Sequence, residues 1–516
     1  MAGRLRLAPA ALALAFFAVP AAAPGQSAVA LDDAVRQTLL NNHDIAVERI
    51  SVLAAEADIR IAESEFSLSL GASADLSSSK SPNASALADP VTDSGRVTAG
   101  ADITGKAASG ATYRLGIDAG QARSGSTFQS LDPVYNAALS LSVTQPLLKN
   151  SGRQVNMWRV DAGRAAREIA ENAVKAKVDA AVTAVVTAYW ELIYAQRSLE
   201  ANGQLLAWAR ELERKIRIQV EAGTLAPLEI VAAQSSVASA EERVVAAQSQ
   251  MERSADNLLA IMNPPAGSPL WSGRIQAAPV LGAPSAPPEK DYAAMALENR
   301  PEMAAARLEI EAKNVELVYQ ENQKLPSLDL TATLRANGLR GGAQPALDIK
   351  TGQTITSPLD GDFGSALADS TAGRYYDYSL GLSFTIPLDA AGREARRAKS
   401  AFAVETAVLK LKNLERAVAN DARNAYRETV NGLKRLQAAA ASRELAEKRL
   451  EAETSKFEAG VSTPFNVLAL QKDLAAEKER EGRAMADLMI AKAALARAVG
   501  RSLEAQGMAV EGANLR

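Results

Sequence analysis

One stretch of this chain returns almost intact near its end, and that repeat constrains the fold more than any other feature. EAGTLAPLEIVAAQ (221–234) comes back as EAGVSTPFNVLALQ (458–471). At a constant offset of 237, Glu221, Ala222, Gly223, Pro227, Ala232, Gln234, Glu242 and Arg243 meet identical residues, and the register carries on to Leu258 and Leu495. Upstream the echo is weaker but keeps its order. VTQPLLKNSGR (143–153) answers FTIPLDAAGR (384–393), and AVRQTLLNNHDI (34–45) answers AMALENRPEM (294–303). A period of about 240 residues is too long for a solenoid unit. It predicts a duplicated unit, with a first copy over 27–263 and a second over 290–500. A Pro/Gly/Ala-rich linker (264–289) separates the copies, and a tail (501–516) follows them.

Residues 1–26 read as a signal peptide. Arg4 and Arg6 precede the apolar run LALAFFAV (12–19), and AAAPGQS (21–27) is a small-residue cleavage zone. Removing this leader takes two arginines from a net charge of −3 and leaves −5, well mixed and without a basic patch for nucleic acid. The chain has no cysteine, which excludes disulfides, thiolate metal sites, cysteine nucleophiles and lipid attachment through an N-terminal cysteine. His43 is its single histidine, so serine triads and multi-histidine metal centres lack their imidazoles. No catalytic residue, metal or cofactor is expected. His43 falls in an expected helix–helix turn, at the position matching Pro301. No uninterrupted apolar run of about 18 residues, the length a spanning helix needs, follows the leader. An exported chain of this kind is periplasmic, extracellular or a β-barrel of the outer membrane.

Four segments alternate apolar and polar residues: 67–76, 137–144, 328–335 and 376–386. Leu68, Leu70, Leu76, Leu139, Leu141, Leu328, Leu330, Leu380 and Leu382 mark one face, and Ser, Thr, Gly and Asp the other. Period two gives a strand with two unlike faces, and strands of about 10 residues suit an outer-membrane barrel. A half-buried soluble sheet shows the same alternation. Phe66, Tyr135, Tyr375 and Tyr376 at the segment ends would suit an aromatic girdle. A further pair, 96–104 and 112–120, joined by GKAASG, also alternates and reads equally as an extra hairpin or as a long external loop.

Proline-free helical stretches follow each strand region, about 153–220 and 393–457. Val178, Ala181, Val185, Ala188, Leu192, Ala195, Leu199 and Leu206 keep spacings of mostly three and four, as do Val404, Ala407, Leu411, Leu414 and Val418. Such a seam is a coiled-coil contact line. Each long helix ends at an Ala-Gly pair, Ala222-Gly223 or Ala459-Gly460, and a proline four residues on starts a return helix of about half the length, 227–262 or 464–499. Short helical segments, about 31–64 and 290–324, open the two halves. Four spanning strands cannot close a barrel, since the smallest use about 8, and an open edge does not survive in lipid. The strands must therefore be pooled among several copies.

The chain resembles the TolC family of outer-membrane efflux proteins, the exit channels of tripartite efflux and type I secretion systems. The likeness covers about 29–500. It rests on the twice-repeated order of helix, strands, long helix, tip and short helix, on LSVTQPLLKNSGR and SFTIPLDAAGR, and on both Ala-Gly tips. It implies a mixed α and β membrane protein: a homotrimer with a 12-stranded β-barrel in the outer membrane of a Gram-negative bacterium, continued by an α-helical coiled-coil tunnel through the periplasm. It implies outer-membrane lipid, a periplasmic adaptor (membrane fusion protein) and an inner-membrane pump as partners, and no catalysis. It places adaptor contact at Gly223, Thr224, Gly460 and Val461. The periplasmic entrance then falls at Glu229 in the first copy and at Asn466 and Ala469 in the second, and Phe457 matches an aromatic that helps hold the entrance shut. Members with two acids in the second copy differ from this chain, where only Glu229 can supply a charged ring. A trimeric coiled-coil adhesin with a membrane barrel would need one continuous heptad rod and strands at one end, whereas here strands and helices interleave twice. A carboxylate-based hydrolase would need a compact core that this sequence does not encode.

Overall fold

The computed structural model describes residues 27–82, 91–124, 129–271, 275–278, 285–347 and 351–507. The signal peptide, parts of the linker (272–274 and 279–284) and the end of the tail (508–516) lie outside the described residues. The first half runs β1 (Ser27–Val29), α1 (Leu31–Asn41), α2 (His43–Ser64), β2 (Ser69–Pro82) and β3 (Val91–Lys106). It continues with β4 (Thr112–Ser124), β5 (Leu131–Pro146), α3 (Arg153–Asn156), α4 (Trp158–Glu221) and α5 (Leu228–Met262). After a 3-10 turn at Pro269–Trp271 come β6 (Ile275–Ala277), α6 (Tyr292–Asn299), α7 (Pro301–Asn322) and β7 (Ser327–Ala343). The chain then forms β8 (Ala346–Leu347), β9 (Thr354–Ile355), α8 (Phe363–Thr371) and β10 (Tyr375–Thr385). It closes with α9 (Ala390–Glu458), α10 (Pro464–Ala498) and α11 (Ser502–Ala505).

Local chemistry fixes the helix boundaries. Asn42 ends α1 and caps α2, its Oδ1 accepting from the N–H groups of Asp44 at 2.9 Å and Ile45 at 3.2 Å. In the second half Pro301 at the first position of α7 makes the same break, its missing N–H costing nothing there. His43 is thus the first residue of α2, in the expected turn. With 64 and 69 residues, α4 and α9 would each rise about 95–105 Å if straight.

The contacts divide the chain into two units, and each sequence repeat contributes to both. The first unit comprises residues up to 46, 177–296 and those from 420 on. Its core is built where α4 is most apolar. Val182, Val185, Val186, Tyr189, Leu192 and Ile193 pack with Leu258, Leu259 and Met262 of α5, Val35 of α1, and Ala486 and Ala493 of α10. By composition α4 contains a window apolar enough to cross a membrane, against the sequence reading, but 56% of that window is buried. Its apolarity serves this core. Part of the linker is structured. Within it β6 pairs in parallel with β1, Val29 opposite Ala277, and Tyr189 donates from its hydroxyl to the carbonyls of Val29 at 3.1 Å and Ala278 at 3.0 Å.

The second unit comprises 47–176 and 297–419 and holds a six-stranded antiparallel sheet, in the order β10-β7-β5-β4-β3-β2. Four spanning strands were expected, and the segment left open between hairpin and loop supplies the other two. One face is apolar in every strand. Cross-strand neighbours form an unbroken row: Leu70, Ile103, Leu115, Leu141, Leu334 and Tyr378. The row on the opposite face reads Gly71, Asp102, Gly116, Ser140, Arg335 and Asp377. Among the described residues nothing covers the first row at its edges, where Leu70 and Tyr378 are both 78% exposed.

The apolar band of β7 runs nine residues, Leu328 through Ala336, close to the 9–11 that span a bilayer. Beyond it α8 takes over the same face. It lies so close to Gly338 that a Cβ there would stand 1.8 Å from the Ala366 carbonyl oxygen. Arg340 and Arg374 both pair with the buried Asp369, at 2.6 and 2.9 Å. Of the girdle candidates, Tyr376 lies on the apolar face and Tyr375, one residue away, on the other. Phe66 precedes β2 with the Lys106 ammonium 5.5 Å over its ring.

Tyr189→Phe removes a donor from Val29 O, which keeps the Ala278 N–H, and from the half-buried Ala278 O, a loss of about 1 kcal/mol. The expected result is an earlier denaturation midpoint by the fluorescence of the adjacent buried Trp190. An unchanged midpoint would show that β1 and β6 do not depend on this hydroxyl.

Candidate functional site: the two helical turns

The residues singled out in the sequence gather at two turns of the first unit, α4 to α5 and α9 to α10. Both turns close alike. Gly223 has φ +75° and Gly460 φ +77°, and no atom stands within 4 Å of a Cβ built on either. Glycine is required there by backbone conformation and not by space. At the first turn the Gly223 N–H donates to Val220 O and the Thr224 N–H to Gln219 O, both at 2.9 Å. At the second, the Gly460 N–H donates to Phe457 O and the Val461 N–H to Lys456 O, both at 3.0 Å. This paired closure is the Schellman motif, which satisfies carbonyls that a helix end would otherwise orphan. The duplication seen in the letters is therefore a duplication of hydrogen bonds. The Thr224 hydroxyl adds a bond of its own to Gln219 O at 2.8 Å.

Behind the turns the two hairpins share one apolar cluster. Phe457 is buried in it with Leu212, Ile216, Ala233, Val467 and Leu468. Lys215 reaches from α4 to Glu458 on α9 at 3.1 Å. Further along, α4 and α10 are tied by polar side chains. Glu479 accepts from Ser198 at 2.8 Å and from the buried Asn202 at 2.5 Å, and Arg483 pairs with Glu191 at 2.9 Å.

Gly223, Thr224, Gly460 and Val461 are exposed at the turns. Glu229 is half-buried in the first turn of α5, where the helix dipole favours its charge. Asn466 is exposed in the first turn of α10, its amide nitrogen 3.4 Å from the Ser462 hydroxyl. Ala469 is exposed one turn further on. Thus the structure brings Asn466 to the second turn's polar contacts and Phe457 to the apolar cluster behind it. Leu228, Val461 and Phe465 stand 73–75% exposed.

Sequence reasoning missed Glu453, which organises the second turn. Its carboxylate accepts from Ser462 at 2.5 Å and Lys456 at 3.2 Å, with the Asn466 amide at 3.5 Å. The position matching Glu453 in the first copy is Ile216, so the duplication could not flag it. The Ser462 hydroxyl bond, then Lys456, hold this carboxyl below the ordinary glutamate range. Among the described residues no group of three or more His, Asp or Glu is placed to hold a metal ion.

Long helical hairpins with matched glycine closures, together with a sheet that has one apolar face and two open edges, define an outer-membrane duct. The chain belongs to the outer membrane efflux protein family, whose profile matches residues 107–264 and 293–501. It is a transport protein of the outer membrane and not an enzyme. No curated protein sequence matches it. Solved structures share its fold at low identity. The outer-membrane channel OprN is 16% identical with a TM-score of 0.63, over 91% of this chain and 90% of that one. The CmeC outer-membrane channel of Campylobacter jejuni is 16% identical with a TM-score of 0.62, over 92% and 86%. VceC of Vibrio cholerae is 15% identical with a TM-score of 0.63, over 91% and 96%. The adhesin reading finds no support.

A carboxyl with a lowered pKa stabilises the folded turn above the ordinary glutamate pKa of about 4.3, and that contribution is lost as pH falls through the lower folded value. Protection from hydrogen exchange across 459–466, taken relative to the intrinsic rate at each pH, should therefore persist in mild acid and fall only in stronger acid. Glu453→Gln should exchange faster at neutral pH and lose this pH dependence. Identical exchange in the two proteins would remove Glu453 from the turn.

Proposed function

We propose that three copies of the chain pool their strands into one barrel and their helices into one periplasmic tunnel. The assembly is the exit duct for small molecules or secreted proteins delivered by an inner-membrane pump through a periplasmic adaptor. The observation that carries this reading is the state of the sheet edges. Both β2 and β10 have one unpaired side, and both present leucines or tyrosines to the surroundings. An edge in hydrocarbon needs a partner strand, and another copy supplies it.

The adaptor is proposed to meet the turns at Gly223, Thr224, Gly460 and Val461. Rigid glycine closures and exposed apolar side chains beside them, Val461 and Phe465, support that surface. The entrance is proposed at Glu229, Asn466 and Ala469. Phe457 would act on it from behind, by packing the hairpins together through the shared cluster. Three Glu229 carboxylates in a trimer form the one charged ring at these positions, because the second copy supplies asparagine and alanine. A carboxylate ring attracts cations. One ring gives a modest cation preference, weaker than in relatives with acids in both copies.

The test is conductance of the purified protein in a planar bilayer. Discrete channels that favour cations are expected, and Glu229→Gln should abolish most of that preference without abolishing conductance. A preference unchanged by Glu229→Gln would place the entrance elsewhere. An absence of channels would contradict the duct itself.

A further inference from the structure

Among the described residues the hairpin β3–β4 has no counterpart of its length in the second copy, where β7 is followed by the two-residue strands β8 and β9, by α8 and then by β10. Its register in the sheet is continuous. β2 and β3 match over Ser69–Pro82, β3 and β4 over Ser94–Lys106, and β4 and β5 over Thr112–Ala122. β3 and β4 separate β2 from β5, so the sheet cannot lose the hairpin without re-pairing its other strands.

Three observations make this hairpin part of a membrane wall and not a loop above it. Its two faces are in phase with those of the flanking strands: Ala72, Ala101, Ile117 and Leu139 are successive neighbours on the apolar side. Val97, Ile103, Leu115 and Ile117 remain 39–49% exposed among the described residues. The tight turn between the strands is also anchored where β2 begins and β5 ends. The Gly152 N–H donates to Ser109 O at 3.0 Å, and Lys106 pairs with Glu65 at 2.7 Å. Gly110, at φ +94°, lies so close to Asn150 that a Cβ would come within 2.3 Å of its carbonyl oxygen. The hairpin therefore traverses the same height as its neighbours and returns to the same side.

We propose that each chain contributes six strands to the barrel. With a neighbour's β2 pairing against β10, the three copies of the reading above close an eighteen-stranded wall in place of the twelve that four strands each would give. Barrel diameter grows roughly linearly with strand number, so this outlet is about half as wide again, and barrels of about 16–18 strands leave an open aqueous channel. The added lining is polar and partly charged, with Thr98, Gly100, Asp102, Arg114, Gly116 and Gly120 on the inner face. Such an outlet passes bulky hydrophilic solutes that a twelve-stranded one would hinder. This inference rests on the barrel reading and is tested separately from it.

The chain has no cysteine, so single introduced thiols report unambiguously. Thr98→Cys on the inner face, Ala101→Cys and Ile117→Cys on the lipid face of the hairpin, and Ala332→Cys on the lipid face of β7 are exposed in intact outer membranes to a water-soluble maleimide. Labelling of Thr98→Cys with sparing of the other three is the expected result. Labelling of all three hairpin positions while Ala332→Cys stays spared would make the hairpin an external loop and overturn the wider wall, leaving the duct intact. Labelling of Ala332→Cys as well would overturn the barrel reading itself.

Discussion

The rest of the structure depends on the unpaired backbone at the two edges of the sheet. Each N–H or C=O left without a partner in hydrocarbon costs several kcal/mol, and an edge strand presents a row of them. β2 and β10 have such edges, and they flank a face on which Leu70, Leu76, Tyr378 and Leu380 stand 73–82% exposed. A soluble protein would hide that face and blunt those edges with charge or proline. Here charge appears on the opposite face, as Asp102 with Arg114 at 3.1 Å and Asp377 with Asn337 at 2.8 Å. The two faces thus differ as lipid and water would require within one layer, and the proposed closure by other copies of the chain would satisfy both requirements.

The helical part answers a different constraint. Helices of 64 and 69 residues need partners along their length, and they find them in alanine-rich seams and a concentrated core. Ala181, Val185, Ala188, Leu192 and Ala195 of the first seam are all buried, and Ala407 and Val418 of the second. The turns then decide where each helix stops. A left-handed glycine and two backbone bonds end each long helix in the same way, which leaves the following residues to differ between the copies. Glu229 in one copy and Asn466 in the other occupy equivalent positions on equivalent scaffolds, so any difference in their effect belongs to the side chains.

Local signals were legible in the sequence, and pairings between distant segments were not. The turns were readable because Gly223 and Gly460 carry a conformational requirement that few other residues meet. The breaks at Asn42 and Pro301 were readable for the same kind of reason. The strands were found but shortened: β7 continues to Ala343, past the point where α8 replaces lipid and glycines at 338, 341 and 342 replace leucine. The hairpin β3–β4 alternates like a strand pair, but alternation does not reveal register, so its place between β2 and β5 could not be read. The parallel pairing of β1 with β6, three residues each and about 250 apart, leaves no local trace. Glu453 was invisible because its partners Ser462 and Asn466 come to it only once the turn has formed.

The most direct test of the pooled barrel is electron cryo-microscopy of the protein extracted from outer membranes into lipid nanodiscs. The account predicts three-fold particles whose strands close around an axis with no free edge in the bilayer. Single chains, or an open sheet with β2 and β10 both unpaired in lipid, would contradict it.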